Sequence, residues 1–194
     1  VARNIQQSDI EFIDIAEAIA AFIRSNFRLK KTKFHEFVFD EGDLTAIEIA
    51  VGLLFYGRGG CAGCHNGPYF SDMNFYSVPF PQLGFGRNGF GVDYGRFNVT
   101  LDERDKYGFR TPPLYNVTKT APYSHSGSIQ KLSDAIRAHV DPLIYVTPLE
   151  MTVNERVEFY ERLRKWSLTP INGVVMNDED VAAIEAFLGT LNYE

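Results

Sequence analysis

Hydrophobic residues recur at helical spacing in five stretches of the chain: 9–27, 45–56, 131–140, 152–166 and 178–191. The first repeats isoleucine on one face, ends at Phe27 and begins at Asp9, a candidate N-cap. The stretches at 45–56 and 152–166 each begin with a threonine that is followed three residues later by a glutamate, which is the spacing of a capping box. The pattern predicts a mainly α-helical protein.

The region from 66 to 127 has a different character. It contains most of the prolines and many of the glycines, and it shows no sustained hydrophobic period. A loop region of this length inside a compact domain is uncommon and usually has a functional reason. A large prosthetic group would supply a core for such loops. The expected fold is therefore a helical domain with long Pro/Gly-rich loops wrapped around a cofactor.

The composition is that of a soluble globular protein. Of the 194 residues, 45% are hydrophobic and 23% are charged, and the formal net charge is −6. No block of lysine and arginine favours binding to nucleic acid. No apolar run approaches the roughly 20 residues needed to span a bilayer. The sequence does not begin with Met, so we expect an export signal to lie outside it.

Both cysteines lie in the segment Cys61-Ala62-Gly63-Cys64-His65, which has the C-x-x-C-H pattern of haem c attachment. In that chemistry the two thiols add to the haem vinyl groups and the adjacent imidazole binds the iron. A redox-active thiol pair is expected beside a βαβ pattern, and a structural zinc site needs four ligands. A disulfide across two residues would be strained. The pattern predicts one covalent haem c and an extracytoplasmic, periplasmic location.

The second axial ligand of the iron decides function, because two strong ligands make an electron carrier and an open position allows peroxide chemistry. Besides the tyrosines, the candidates are His35, His125, His139, Met73, Met151 and Met176. Met73 follows His65 too closely to reach the opposite haem face easily. Met176 lies in a polar segment, and we expect a surface role for His35. His139 continues the apolar face of its helix, which makes it the predicted ligand.

Several ordered motifs resemble those of a known family: CAGCHNGPYFSD, DYGRFNVT, YGFRTPPLYNVTKTAPYSHSGSIQKLSDAIRAH and MNDEDVAAIEAFLGTL. Together they resemble the bacterial dihaem cytochrome c peroxidases and their MauG relatives, which oxidise protein residues. The resemblance implies a cytochrome c-like helical fold. It is to the C-terminal haem domain, because FRTPPLYNVTKTAPYSHSG follows the C-x-x-C-H motif. Residues 1–42 resemble the helical segment that links that family's two domains. We expect this segment to pack on a haem domain formed by residues 43–194.

In that family the N-terminal haem meets hydrogen peroxide, and the C-terminal haem is six-coordinate, low-spin and passes electrons. This chain has one C-x-x-C-H motif. The resemblance therefore implies a second haem domain or subunit outside these residues. It also implies a small electron donor, either a cytochrome or a cupredoxin, or a protein substrate that is oxidised.

The resemblance implies roles for two further groups of residues. His139 stands where the peroxidases have methionine and MauG has tyrosine, which implies ligation of the iron by His65 and His139, with Tyr145 as the next candidate. Arg110 and His125 match family residues near the haem and the domain interface.

A calcium ion is also implied by the resemblance. The backbone carbonyls of Thr120 and Pro122 match positions that ligate calcium in the family, and oxygen ligands suit this cation. An ordinary proline-containing turn is the alternative.

Three functions remain open at this point. The leading hypothesis is a periplasmic electron-transfer haem domain of a peroxidase or MauG-type enzyme. The second is a stand-alone monohaem electron carrier, or a subunit of a redox complex, without peroxidase activity. The third is a five-coordinate haem that reacts with peroxide directly, which requires that His139 not bind the iron.

Overall fold

The structure is a computed structural model that describes residues 6–26 and 31–193, apart from the side chain of Phe90. Contacts between residues divide the chain into two units, 1–30 and 31–194.

The first unit contains a 3-10 turn at Gln7–Asp9 and helix α1 at Phe12–Asn26. The predicted helix therefore begins later than expected, and Asp9 belongs to the preceding turn rather than to the N-cap. The Asp14 carboxylate instead accepts a hydrogen bond from the Glu11 backbone N–H, 3.0 Å away. Phe27, at the predicted end of this helix, lies outside the described residues.

The second unit is mainly α-helical, as predicted. Its helices are α2 (Lys33–Phe39), α3 (Ala46–Tyr56), α4 (Phe97–Thr100), α5 (Leu132–Val140), α6 (Val153–Trp166) and α7 (Asp178–Gly189). The short helices α2 and α4 were not expected from the hydrophobic pattern. The predicted boundary between a linking segment at 1–42 and a haem domain at 43–194 stays a prediction. Helix α2 belongs to the second unit.

Capping boxes fix where three of these helices, α3, α6 and α7, begin. Thr45 and Glu48 form the predicted capping box of α3, and Thr152 and Glu155 form that of α6. Helix α7 has a third box, in which Asn177 caps the helix and the Asp180 carboxylate accepts from the Asn177 backbone N–H. Because each box satisfies backbone N–H groups that the first helical turn leaves free, the sequence sets these boundaries locally.

The core of the second unit lies where α3, α5 and α7 meet. The predicted face of α7 is buried and consists of Val181, Ile184, Leu188 and, just beyond the helix, Leu191. Phe187 is fully buried and its ring centroid lies 4.7 Å from that of Phe55 on α3. Arg58, after α3, forms a bidentate ion pair with the buried carboxylate of Asp180 on α7.

The predicted loop region contains little regular structure. Strand β1 (Phe75–Tyr76) pairs antiparallel with β4 (Phe109–Arg110), and β2 (Phe85–Gly86) forms a hairpin with β3 (Gly89–Phe90). The rest of 66–127 consists of turns, short 3-10 segments and α4. Within the described ranges, no helix combines the length and apolarity required to cross a membrane.

The buried end of α7 generates a prediction about stability. Leu191→Ala should destabilise the fold by about 2–5 kcal/mol, because it opens a cavity in a packed core. The matched control is Leu168→Ala, since Leu168 is 80% exposed whereas Leu191 is fully buried. Urea unfolding of the full chain measures both changes. Equal midpoints for the two variants would contradict the assignment of Leu191 to the core.

The α3 capping box generates a prediction about pH. Hydrogen bonds from Lys33, then from Thr45, lower the pKa of Glu48 from 4.5 to about 2. Because the folded-state pKa lies below the unfolded value, the charged carboxylate stabilises the fold above about pH 4.5, and this contribution is lost as the pH falls towards 2.

Glu48→Gln replaces the carboxylate by an amide whose oxygen can still accept the capping-box hydrogen bond, but it removes the charge. The wild type should therefore be more stable than this variant at pH 7, and the difference should disappear near pH 2, as measured by urea unfolding across pH. Glu155→Gln is the control, because within the described residues Glu155 forms its capping box without a salt bridge to lysine, so its pH-dependent difference should be smaller. A Glu48→Gln difference that does not change with pH would contradict the prediction.

Candidate functional site

A cavity of about 500 Å³ lies in the second unit, between the loop region and the helices. All eight residues that the sequence analysis assigned to a site line it: Cys61, Cys64, His65, Arg110, Thr120, Pro122, His125 and His139. They come from positions up to 78 residues apart in the chain, so the fold gathers them around one space.

The cysteine segment follows directly from the end of α3. Gly60 adopts a left-handed backbone conformation, φ 69°, which favours glycine, and starts the 3-10 turn Cys61–Gly63. A side chain at Gly63 would come within 2.8 Å of the Pro170 ring, so this position also favours glycine. Both thiols are free and line the cavity.

The environment of the two thiols does not suit a redox-active pair. Burial raises the pKa of Cys61 to about 12 and also raises the pKa of Cys64. Thiol–disulfide chemistry needs a thiolate, and reactive cysteines have a lowered pKa. The two thiols are therefore protonated in this environment.

His65 presents a neutral imidazole to the cavity. Its Nδ1 lies 2.9 Å from the backbone carbonyl of Phe70. A carbonyl oxygen only accepts hydrogen bonds, so Nδ1 carries the proton and Nε2 keeps its lone pair. Burial, and secondarily the nearby His139, lower the pKa of His65 to about 4.

His139 also lines the cavity and is arranged in the same way. It lies in the last turn of α5, and its Nδ1 is 2.7 Å from the carbonyl of Ala135, one turn earlier in the helix. The same reasoning assigns the proton to Nδ1 and the lone pair to Nε2. Burial lowers the pKa of His139, so this ring too is neutral near pH 7.

The centroids of the two imidazole rings are 6.4 Å apart. A metal–imidazole bond is about 2 Å long and the ligating nitrogen is about 1 Å from its ring centre, so two imidazoles on opposite sides of one metal have centroids about 6 Å apart. The observed separation therefore matches that of two axial ligands of a single ion.

The sequence matches known proteins, although no family model matches it. It is 40% identical to the cytochrome c551 peroxidase of Pseudomonas aeruginosa over 88 residues, which cover 44% of this chain and 25% of that protein. It is 33% identical to the cytochrome c551 peroxidase of Nitrosomonas europaea over 138 residues, which cover 69% of this chain and 39% of that protein. The chain thus spans about a quarter to two fifths of the length of these relatives.

This chain superposes on the crystal structure of a MauG-like protein associated with microbial copper homeostasis. The superposition covers 97% of this chain and 59% of the MauG-like chain. The TM-score is 0.73 and the sequence identity is 25%. The chain belongs to the bacterial cytochrome c peroxidase and MauG family. Membership confirms the cytochrome c-like fold and implies c-type haem as the cofactor.

The cavity of this peroxidase-family chain fits such a haem. No group of three or more His, Cys, Asp or Glu side chains able to hold a metal ion occurs in the described part of the chain. Haem iron takes four of its ligands from the macrocycle, so His65 and His139 would be sufficient protein ligands for it. Apolar side chains from the helices complete the walls: Phe55, Leu132, Ile136, Ile184 and Leu188.

Met176 and Tyr76 are among the wall residues that were not expected. Met176 lines the cavity and packs against the core, although its polar sequence neighbours indicated a place outside the site. Tyr76 also lines the cavity, and its hydroxyl donates a 2.7 Å hydrogen bond to Asp72, which raises the pKa of Tyr76. The pairing of β1 with β4 brings Tyr76 to this wall, and no local sequence signal indicates it.

The polar residues predicted near the haem lie on exposed parts of the wall. The guanidinium of Arg110 is exposed and lies 3.0 Å from the sulfur of Met73. The imidazole of His125 packs on the ring of Phe109, with centroids 4.0 Å apart, and its Nε2 lies 3.0 Å from a carboxylate oxygen of Asp93.

Four other candidates for the second axial ligand, Met73, Met151, Tyr145 and His35, lie outside the cavity lining. Met73 is 39% exposed and Tyr145 is 40% exposed, and Met151 is also not part of the wall. His35, for which a surface role was expected, is partly buried: its ring nitrogens lie 2.8 Å from the Thr32 hydroxyl and 2.9 Å from the Tyr115 hydroxyl.

The geometry of the cysteines generates a prediction about cofactor attachment. When the chain is expressed with a cytochrome c maturation system, its denatured intact mass should exceed that of the polypeptide by one haem. Cys61→Ser combined with Cys64→Ser should abolish this increase, because serine forms no thioether. The control is Ser167→Ala, an exposed position outside the cavity. A covalent haem in the double serine variant would contradict the assignment.

Proposed function

We propose that this chain is the C-terminal, electron-transfer haem domain of a dihaem cytochrome c peroxidase or MauG-type enzyme. The single observation that carries the proposal is that the imidazoles of His65 and His139 line one cavity with their ring centroids 6.4 Å apart. Cys61 and Cys64 would attach the haem covalently. The remaining wall is largely apolar and supplies the packing that a porphyrin needs.

The protein's own residues favour electron transfer over peroxide chemistry at this site. Two neutral imidazoles with Nε2 lone pairs can occupy both axial positions, and then no position remains for peroxide. A low-spin haem of this kind supplies reversible one-electron transfer. Histidine in place of methionine as the second ligand should lower the reduction potential, because Met/His ligation raises it.

The exposed part of the wall suits contact with partners. We propose that Arg110 pairs with a haem propionate, since a guanidinium and a carboxylate form strong charge-assisted hydrogen bonds. His125 lies nearby and would face the domain interface. Thr120 and Pro122 would contribute backbone carbonyls to a calcium ion whose other ligands come from the partner domain.

The complete enzyme would work in the periplasm with a second haem domain or subunit. Hydrogen peroxide would react at that second haem. Electrons would reach the present chain from a small reduced cytochrome or cupredoxin, or from a protein substrate that is oxidised as it gives them up. The limited coverage of the relatives supports a missing partner domain, because the chain spans 25% and 39% of two cytochrome c551 peroxidases.

A second candidate function is a stand-alone monohaem electron carrier or a subunit of a redox complex. It is favoured by the fact that both proposed iron ligands, His65 and His139, belong to this chain. Intact mass and haem content of the native preparation separate the two functions. A second haem that copurifies with the chain supports the enzyme, and a single haem supports the carrier.

The axial assignment is tested by His139→Ala in the haem-loaded protein. The wild type should give a low-spin ferric EPR signal, the variant should become high-spin, and added imidazole should restore the low-spin signal. The control is His35→Gln, because His35 lies outside the cavity lining. A wild-type high-spin signal that His139→Ala leaves unchanged would instead support a five-coordinate, peroxide-reactive haem.

A further inference from the structure

Helix α6 is hydrogen-bonded to the two segments of backbone that adjoin the His139 ring. The indole Nε1 of Trp166 donates to the backbone carbonyl of His139 at 2.9 Å. The guanidinium of Arg162, one turn earlier on α6, donates to the backbone carbonyl of Phe80 at 3.2 Å. The Ser77 hydroxyl donates back to the carbonyl of Arg162 at 3.3 Å.

The Trp166 bond acts on the backbone of His139 itself. His139 lies in the last turn of α5, where the backbone carbonyls receive no hydrogen bond from an N–H group of the same helix. The indole N–H can only donate, and it supplies the partner that this carbonyl lacks within the helix. The bond therefore fixes the backbone from which the imidazole projects.

The Arg162 bond acts on the ring through Phe80. The Phe80 ring lines the cavity and meets the His139 ring edge to face, with centroids 5.1 Å apart and planes at 79°. Rings in this arrangement attract each other and restrict each other's rotation. Together with the Ala135 carbonyl on Nδ1, Phe80 limits the imidazole to one orientation.

The surroundings of Arg162 indicate that this contact does more than stabilise the fold. Its Nε is the one buried side-chain nitrogen or oxygen in the described residues that has no hydrogen-bond partner. Burial also lowers the pKa of Arg162. Burying a guanidinium with an unpaired N–H costs free energy, so an apolar residue at this position would suit the core better.

We propose that α6 is a positioning element for His139. Trp166 holds the backbone of His139 and Arg162 holds Phe80 against its ring, so that the second axial position stays occupied and closed to small molecules. This inference rests on the proposed ligation by His139. Trp166 and Arg162 act through His139 and Phe80, and neither lines the cavity.

The test is cyanide binding to the haem-loaded ferric protein, because cyanide must displace the second axial ligand. Trp166→Phe removes the indole N–H but keeps an aromatic ring. It should raise the apparent affinity for cyanide about two- to tenfold, which corresponds to the loss of one ordinary hydrogen bond. Arg162→Met keeps the apolar stem, removes the bond to Phe80 and should act in the same direction.

The matched control is Tyr160→Phe, another aromatic change on α6, at a position that is 52% exposed. It should leave cyanide binding unchanged. Hydrogen exchange of backbone amides in the last turn of α5 gives a second readout, which should be faster in Trp166→Phe and unchanged in Tyr160→Phe. Thermal unfolding of all variants separates this local effect from general destabilisation.

The failures of the two proposals are distinguishable. If His139→Ala abolishes the low-spin signal while Trp166→Phe and Arg162→Met bind cyanide and exchange amides like the wild type, the ligation stands and the positioning role is overturned. If the wild type already binds cyanide freely and His139→Ala changes nothing, the ligation itself is overturned, and with it the inference. A slower electron transfer in Trp166→Phe at unchanged cyanide affinity and exchange would assign Trp166 to electron relay and also overturn the positioning role.

Discussion

The separation between His65 and His139 is the constraint on which the rest of this structure depends. Two rings 6.4 Å apart require that the cysteine segment and the end of α5 be held at a fixed distance across an apolar space. The α3–α5–α7 core does this from the helical side. The loop region closes the space from the other side with little regular structure of its own.

The sequence alone predicted the parts of the site that depend on local pattern. The C-x-x-C-H spacing identified the cysteine segment of the cavity wall, and the capping residues identified the starts of α3 and α6. His139 was identifiable because a helix face is periodic. These features share one property, which is that the residues involved are close together in the chain.

The features that were missed depend on contacts between distant residues. Trp166 meets a residue 27 positions away, and Arg162 meets one 82 positions away. Met176 was misplaced because its immediate neighbours are polar, whereas the turn before α7 directs it to the cavity wall. Helix α2 was missed because it is short, and its Phe34 packs on Phe70 and Phe187 rather than following an amphipathic period.

The carboxylate of Asp180 has two roles at once. It closes the capping box of α7 and it pairs with Arg58 in the turn that leads to the cysteines. The N-terminus of α7 and the cofactor attachment segment therefore share one anchor, although they are far apart in sequence. Because the Arg58–Asp180 ion pair joins them, the N-terminus of α7 and the cysteine segment should unfold locally as a single cooperative unit rather than separately. A covalent group bound at Cys61 and Cys64 would then stabilise the C-terminal helix without touching its first turn.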